Sequence, residues 1–151
     1  MKGVFFMNTE ANKTLVGRYY EEIANAENTD AATSAADGLL TPAFAFYTLN
    51  DDQGTHGLEQ HKEFLLWHHN AVPDQHWTIE AMVAEGELVA THWRTSGTHL
   101  GEFLGVAPTG RRIALQGMDL FRLAGNRIAE LRRFFDLMEV MQQLGAMPPI
   151  E

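Results

Sequence analysis

The chain has 151 residues, 45% of them hydrophobic and 21% charged, ordinary values for one globular domain with a real core. Eleven Lys and Arg against 20 Asp and Glu give a formal charge of -9, which argues against non-specific nucleic-acid binding and against an anionic membrane surface. The absence of cysteine excludes disulfides and thiolate chemistry and leads to the expectation of a cytoplasmic protein.

No apolar run reaches a transmembrane length, and the GVFFM stretch from Gly3 is too short for a signal-peptide core and has no small-residue cleavage site after it. Residues 1–8 are expected to be a flexible extension, with either Met1 or Met7 as the start. From Glu10 to Asn25, Leu15, Val16, Tyr19, Tyr20 and Ile23 recur at spacings of three and four. That pattern predicts an amphipathic helix N-capped by Asn8 or Thr9. Asn28-Thr29-Asp30 breaks it, and Ala31 to Leu40 predicts a shorter helix stopped before Pro42. Phe44 to Thr48 reads as a short strand ending in a polar turn, Asn50 to Gly54.

Gly57 to Asn70 predicts a third helix with Leu58, His61, Leu65 and His68 on one stripe, flanked by Phe64 and Trp67 and closed by Pro73-Asp74. Gln75 to Val83 alternates as a strand, with Trp77, Ile79, Ala81 and Val83 on one side. Glu85-Gly86-Glu87 turns the chain into a long strand, Leu88 to Thr98. Two more strands, Arg111 to Leu123 and Arg127 to Asp136, are separated only by Ala124-Gly125-Asn126, a hairpin signal. The loop before them contains Gly101, Gly105, Pro108 and Gly110, which forbid regular structure. Leu137 to Leu144 predicts a last short helix, C-capped by Gly145.

The long strands carry polar residues on both faces, whereas a half-buried sheet alternates cleanly. One face is therefore expected to line a cavity containing chemistry. Helices followed by hairpin-connected strands, without repeat or linker, read as one α+β domain. The helices should cover one face of a bent, mostly antiparallel sheet, with a cone-like cavity for a small apolar ligand between the layers.

The run GTHLGEFLGVAPTGRRI from Gly97, then GMDLFRL, GNRIAE, FFD and QQLG, resembles the SnoaL-like polyketide cyclase family, its ester cyclase branch included. The resemblance covers Asn12 to Leu144. It implies the nuclear-transport-factor-2-like (NTF2-like) fold, a cone of helices on a curved sheet, often paired as a dimer through the sheet. It also implies an intramolecular aldol closure without metal or cofactor, with a last-strand carboxylic acid as acid/base. Counted back from QQLG, that residue is similar to Asp136. The superfamily fold also hosts isomerases, dehydratases, hydrolases and pure binding proteins, so fold alone leaves the chemistry open.

By alternation Asp136 shares a face with Ile128, Glu130, Arg132 and Phe134. Beside Phe134 in a cleft its charged form is desolvated, which raises a carboxyl pKa toward the range useful for acid/base work. Asp136 is also placed to N-cap the helix at Leu137, and the two roles are compatible. Asp119 sits among Ile113, Leu115, Gly117 and Phe121, so it either faces substrate or pairs with Arg94 or Arg133. His92, on the Leu88, Ala90 and Arg94 face, either shuttles a proton and orients a carbonyl or is a histidine satisfied in the sheet. It stands where the family often carries Arg. Tyr47 stands where the family often carries His; it can hydrogen-bond a substrate oxygen but is a poor base. Tyr20, Trp67, Phe103 and Phe134 are the expected pocket walls, with Phe103 a candidate lid.

Seven histidines do not make a metal site here. His61 and His68 lie two turns apart, a rise of roughly 10 Å, and no HExxH or His-x3-His spacing occurs. His56, His69, His76 and His99 are expected in turns, on polar faces or at a strand end. No glycine-rich phosphate loop and no GxSxG elbow is present.

The expected function is cofactor-independent, metal-independent acid/base chemistry on an apolar carbonyl compound, with Asp136 as acid/base and His92 and Tyr47 orienting oxygens. A non-catalytic dimeric ligand-binding protein is the alternative. Thr91, Trp93 and Thr95 alternate away from the His92 face, so Trp93 is expected on the outer face, covered by a second copy in a homodimer. No nucleic-acid or membrane partner is expected.

Overall fold

A computed structural model describes residues 8–49 and 51–147. Apart from Asn8, the expected N-terminal extension and the choice between Met1 and Met7 lie outside the described residues. Helix α1 (Thr9–Arg18) begins where the Asn8 side chain accepts a hydrogen bond from the Ala11 amide at 3.0 Å. It runs directly into a π-helical turn, Tyr19–Ala24, and both consecutive tyrosines are buried there. Helix α2 (Thr29–Leu39) is capped by Asn28 and passes without a loop into β1 (Leu40–Thr48). Pro42 is accommodated in β1 because the register with its neighbour is irregular between Leu40 and Ala45.

The polar segment expected as a turn is instead a strand, β2 (Asp51–His56), paired antiparallel with β1. Its polarity reflects a mostly exposed edge, where an alternating apolar pattern is not needed. Helix α3 (Leu58–Ala71) follows, then β3 (His76–Glu85), β4 (Leu88–Thr98), β5 (Arg112–Ala124), β6 (Arg127–Phe135) and α4 (Leu137–Gln143). The sheet order is β2-β1-β6-β5-β4-β3; only the β1–β6 pair is parallel among the described strands. This is the α+β cone expected from the sequence.

The helices bury Val16, Tyr19, Ile23 and Leu39 against Phe44, Val89, Phe121 and Leu131 of the sheet. Burial at 20–33 cal/mol per Å² of apolar surface drives this packing. The helix layer decides which strand face is inside, and on β4 it chooses Val89, Thr91 and Trp93. Trp93 is 1% exposed, so its expected position on the outer face is wrong. His92 correspondingly lies outside. On β3 a bulge between Ile79 and Ala81 shifts the alternation, so Met82 and Ala84 pack inward while Val83 is exposed.

Strand β6 ends opposite Gly117, leaving the first part of β5 without a partner on that side. Helix α4 fills the gap. The Gln143 side chain donates to Ala114 O at 2.8 Å and accepts from Ala114 N at 2.8 Å, imitating a strand's two ladder bonds.

Candidate functional site

The cone encloses a pocket of about 170 Å³. Helix α3 contributes Phe64, Trp67 and His68; the sheet contributes Trp77, Trp93, Leu115 and Arg133 among others. Phe103 and Leu104 close it from the glycine-rich loop. Trp67 stacks on Phe103 with ring centres 5.1 Å apart. Glu102 ties the two elements: one oxygen accepts from Trp67 Nε1 at 3.1 Å, the other from the Gly105 amide at 2.6 Å. Leu104 holds φ 53, the one positive φ outside glycine among the described residues.

Behind the aromatic wall lies a buried ion pair. Arg133 donates through Nε and Nη2 to the two oxygens of Asp119, at 2.9 and 3.0 Å. The Tyr20 hydroxyl donates to Asp119 Oδ2 at 2.5 Å and lies 2.7 Å from Thr91 Oγ1. The guanidinium carbon sits 4.5 Å from the centre of the Trp77 ring. Burial works against the Arg133 charge, but the Asp119 carboxylate outweighs it and holds the pKa above its ordinary value. Burial, then Asp119, raises the Tyr20 phenol far above its usual range, and burial pushes Tyr19 up to about 12. Both tyrosines remain hydrogen-bond donors.

His68 faces the pocket. Burial first, then the Arg133 and His69 charges, lowers its pKa to about 3. The imidazole is therefore neutral at pH 7, as is that of fully buried His61, lowered to about 3 by burial and Arg133. His69 and His99, expected on solvated positions, are buried instead. His69 donates to Ile23 O at 3.1 Å, and His99 Nδ1 accepts from the Thr109 amide at 3.2 Å. Each helps to join a loop or helix end to the core, an interaction that short-range spacing does not reveal.

A second concavity, an open groove of about 1020 Å³, lies on the outer side of the sheet. Met118, Phe134, Asp136, Met138 and Met141 line it, and it shares Leu104, Phe135 and Leu137 with the inner pocket. Asp136 is exposed at the N-cap of α4, where Oδ1 accepts from the Glu139 amide at 3.2 Å.

The residues nominated from sequence thus fall in separate places. Trp67 and Phe103 line the inner pocket, whereas Asp119 and Tyr20 stand behind Arg133 as its support. Asp136 and Phe134 belong to the outer groove. His92 donates to Gln116 Oε1 at 3.0 Å on the outer face, and Tyr47 lies under Arg132 at 4.3 Å. Among the pocket residues that were not nominated, His68 and Arg133 carry the titratable groups. His68 lies on the apolar stripe of α3 and reads there as core; Arg133 was legible only as a partner for Asp119. Among the described residues no three His, Asp or Glu side chains converge as a metal site, and no helix is long and apolar enough to cross a membrane.

The model of the SnoaL-like polyketide cyclase family matches residues 14–144. The chain belongs to that family. A SnoaL-like protein of Jannaschia sp. CCS1, assigned as a polyketide cyclase, superposes with a TM-score of 0.84 at 28% identity, over 97% of this chain and 100% of that one. IdmH of Streptomyces antibioticus, also assigned as a polyketide cyclase, gives 0.71 at 26% identity, over 89% and 98%. An LEH-like epoxide hydrolase of M. tuberculosis shares the fold alone, with a TM-score of 0.71 and 15% identity over 92% of this chain and 88% of that one. No curated protein sequence matches. SnoaL-like proteins form a family of small-molecule enzymes with the NTF2-like cone, and that description holds for this chain's fold and family.

Proposed function

We propose that the chain carries out cofactor-independent and metal-independent acid/base chemistry, an aldol-type cyclisation or isomerisation, on an apolar carbonyl compound seated in the cone. The observation that carries this reading is the pairing of a neutral imidazole, His68, with a buried guanidinium, Arg133, in a cavity otherwise lined mainly by aromatic and leucine side chains. When the Asp136 carboxylate takes a proton from the carbon next to a carbonyl, the C–H electron pair moves onto oxygen as an enolate. Arg133 favours that developing charge in a low-dielectric site, and a neutral histidine can polarise the carbonyl without ionising. In a cyclisation the enolate carbon then forms a bond to a second carbonyl carbon, whose oxygen takes up the proton.

The inner volume matches the scale of about 150 Å³ that admits a benzene, and it is below the roughly 300 Å³ of drug-sized pockets. One or two rings therefore sit inside, and the remainder leaves past Leu104 toward the outer groove. Asp136 is the proposed carboxylate acid/base for that emerging part. His92 and Tyr47 face away from the cavity and are given no role in it. Two copies are proposed to pair through the outer sheet face, where Met118 is 52% and Phe134 42% exposed.

The test is α-proton exchange of a bicyclic ketone, 2-tetralone, followed by NMR in D₂O. The unmodified protein should accelerate exchange above buffer. His68→Gln and Asp136→Asn should each lower the rate by about a hundredfold or more if that group moves the proton. A variant that keeps its rate removes its residue from the mechanism. Binding of ketones with no exchange at all favours a non-catalytic binding protein.

A further inference from the structure

The inner pocket and the outer groove meet at three side chains that line both, Leu104, Phe135 and Leu137. Phe135 ends β6 and Leu137 opens α4, so regular elements position two of the three. Leu104 belongs to the glycine-rich loop, and its neighbour Phe103 lines the inner pocket but not the groove.

The backbone makes leucine a costly choice at this position. Phe103 and Val106 exchange both backbone hydrogen bonds, at 3.0 and 2.9 Å, around a two-residue turn with Leu104 at φ 53 and Gly105 at φ 80. Two positive φ values suit Asn-Gly, and a bulky apolar side chain seldom adopts the first of them. The turn is firmly anchored all the same. The Leu100 and Gly101 amides donate to Ala71 O at the end of α3, at 2.9 and 3.0 Å, and a Cβ on Gly101 would lie 2.6 Å from Asn70 O. The Glu102 carboxylate adds its bonds to the Gly105 amide and the Trp67 indole. Backbone strain persists where the surroundings over-determine it, and here it holds a leucine side chain at the junction of two concavities.

The two sides of that junction differ. Phe64, Trp67, Trp77 and Trp93 give the inner pocket flat aromatic walls. Met118, Met138, Met141 and Met147 give the groove unbranched thioether side chains, which repack around varied shapes.

We propose that Leu104 sets the width of the passage between pocket and groove, so that the compound taken is a flat ring ketone carrying an unbranched apolar tail. This rests on the reading of the cone as the ligand pocket. A ring system fills the inner volume of about 170 Å³, which puts the first carbon of the tail against Leu104, Phe135 and Leu137. A methyl branch on that carbon meets a side chain that the anchored turn holds in place. Misfit of this size in an apolar site is worth about tenfold or more in discrimination.

The experiment compares 2-tetralone, 6-hexyl-2-tetralone and 6-(1,1-dimethylhexyl)-2-tetralone, the last branched at the carbon next to the ring. Binding is read from tryptophan fluorescence, because Trp67, Trp77 and Trp93 all line the inner pocket. The unmodified protein should bind the hexyl ketone at least about tenfold more tightly than the branched one. Nuclear Overhauser contacts should join its chain protons to the Leu104 methyls and to the methionine methyls of the groove. Leu104→Ala and Leu104→Gly should each bring the ratio close to one and leave 2-tetralone binding nearly unchanged; glycine also relieves the positive φ, so that variant keeps the turn. Equal binding of the two tailed ketones by the unmodified protein overturns the proposal. So does a bound hexyl chain without contacts to Leu104, or a preference that survives both variants. In each of those cases 2-tetralone still binds and the pocket reading stands, whereas failure of 2-tetralone to bind overturns both.

Discussion

Neutral histidines make this protein's stability depend on pH in a definite direction. Folding lowers His61 and His68 to about 3 from an ordinary 6.5, chiefly by burial. The unfolded chain therefore binds their protons at a higher pH than the native one does. Their contribution is fully present above about pH 6.5 and is lost progressively as pH falls toward 3, at up to about 1.4 kcal/mol per pH unit for each histidine. Urea unfolding at pH 7 and pH 5 should show the loss, and His68→Gln should remove about half of it; an unchanged pH dependence in that variant counts against the buried neutral state. Residue type alone told part of this story. An aspartate among Ile113, Leu115 and Phe121 demanded a partner, and Arg133 was one of two arginines in reach by alternation. That His68 faces a cavity while His61 is sealed behind it depends on how α3 is rotated against the sheet, which no spacing along α3 contains.

At the scale of elements, the helix and strand periods were clear wherever one face is buried along the whole length. They failed at β2, which is an exposed edge, and past the β3 bulge, where one extra residue reverses the alternation. The α4–β5 junction was also invisible, because it joins Gln143 to a backbone position 29 residues earlier. It lends itself to a direct measurement. Gln143→Ala should cost about 1–2 kcal/mol, since both polar backbone groups of Ala114 lose their partner. Hydrogen exchange at the Ala114 amide should accelerate while amides in the paired middle of β5 stay protected. Equal protection in the variant would mean that water replaces the side chain without loss.

For the whole molecule, the proposed dimer no longer rests on Trp93, which the helices cover. It rests on the apolar strip of Met118 and Phe134 across the outer sheet. Sedimentation at micromolar concentration should find a dimer, and Phe134→Glu should give monomers by placing two desolvated charges in the interface. A monomeric unmodified protein refutes this pairing and leaves the inner pocket untouched.

The helix–strand order, the bent and mostly antiparallel sheet, the family and a chemically mixed interior were all legible along the chain. These follow from local periodicity, turn residues and a motif that spans nearly the whole chain. Which side of β4 is inside, and hence that Trp93 rather than His92 meets the cavity, was set by packing between layers. Alternation defines two faces of a strand but carries no sign; the helices that bury one of them supply it. The same packing set Arg133 and His68 on the pocket wall and left Asp136 at the rim.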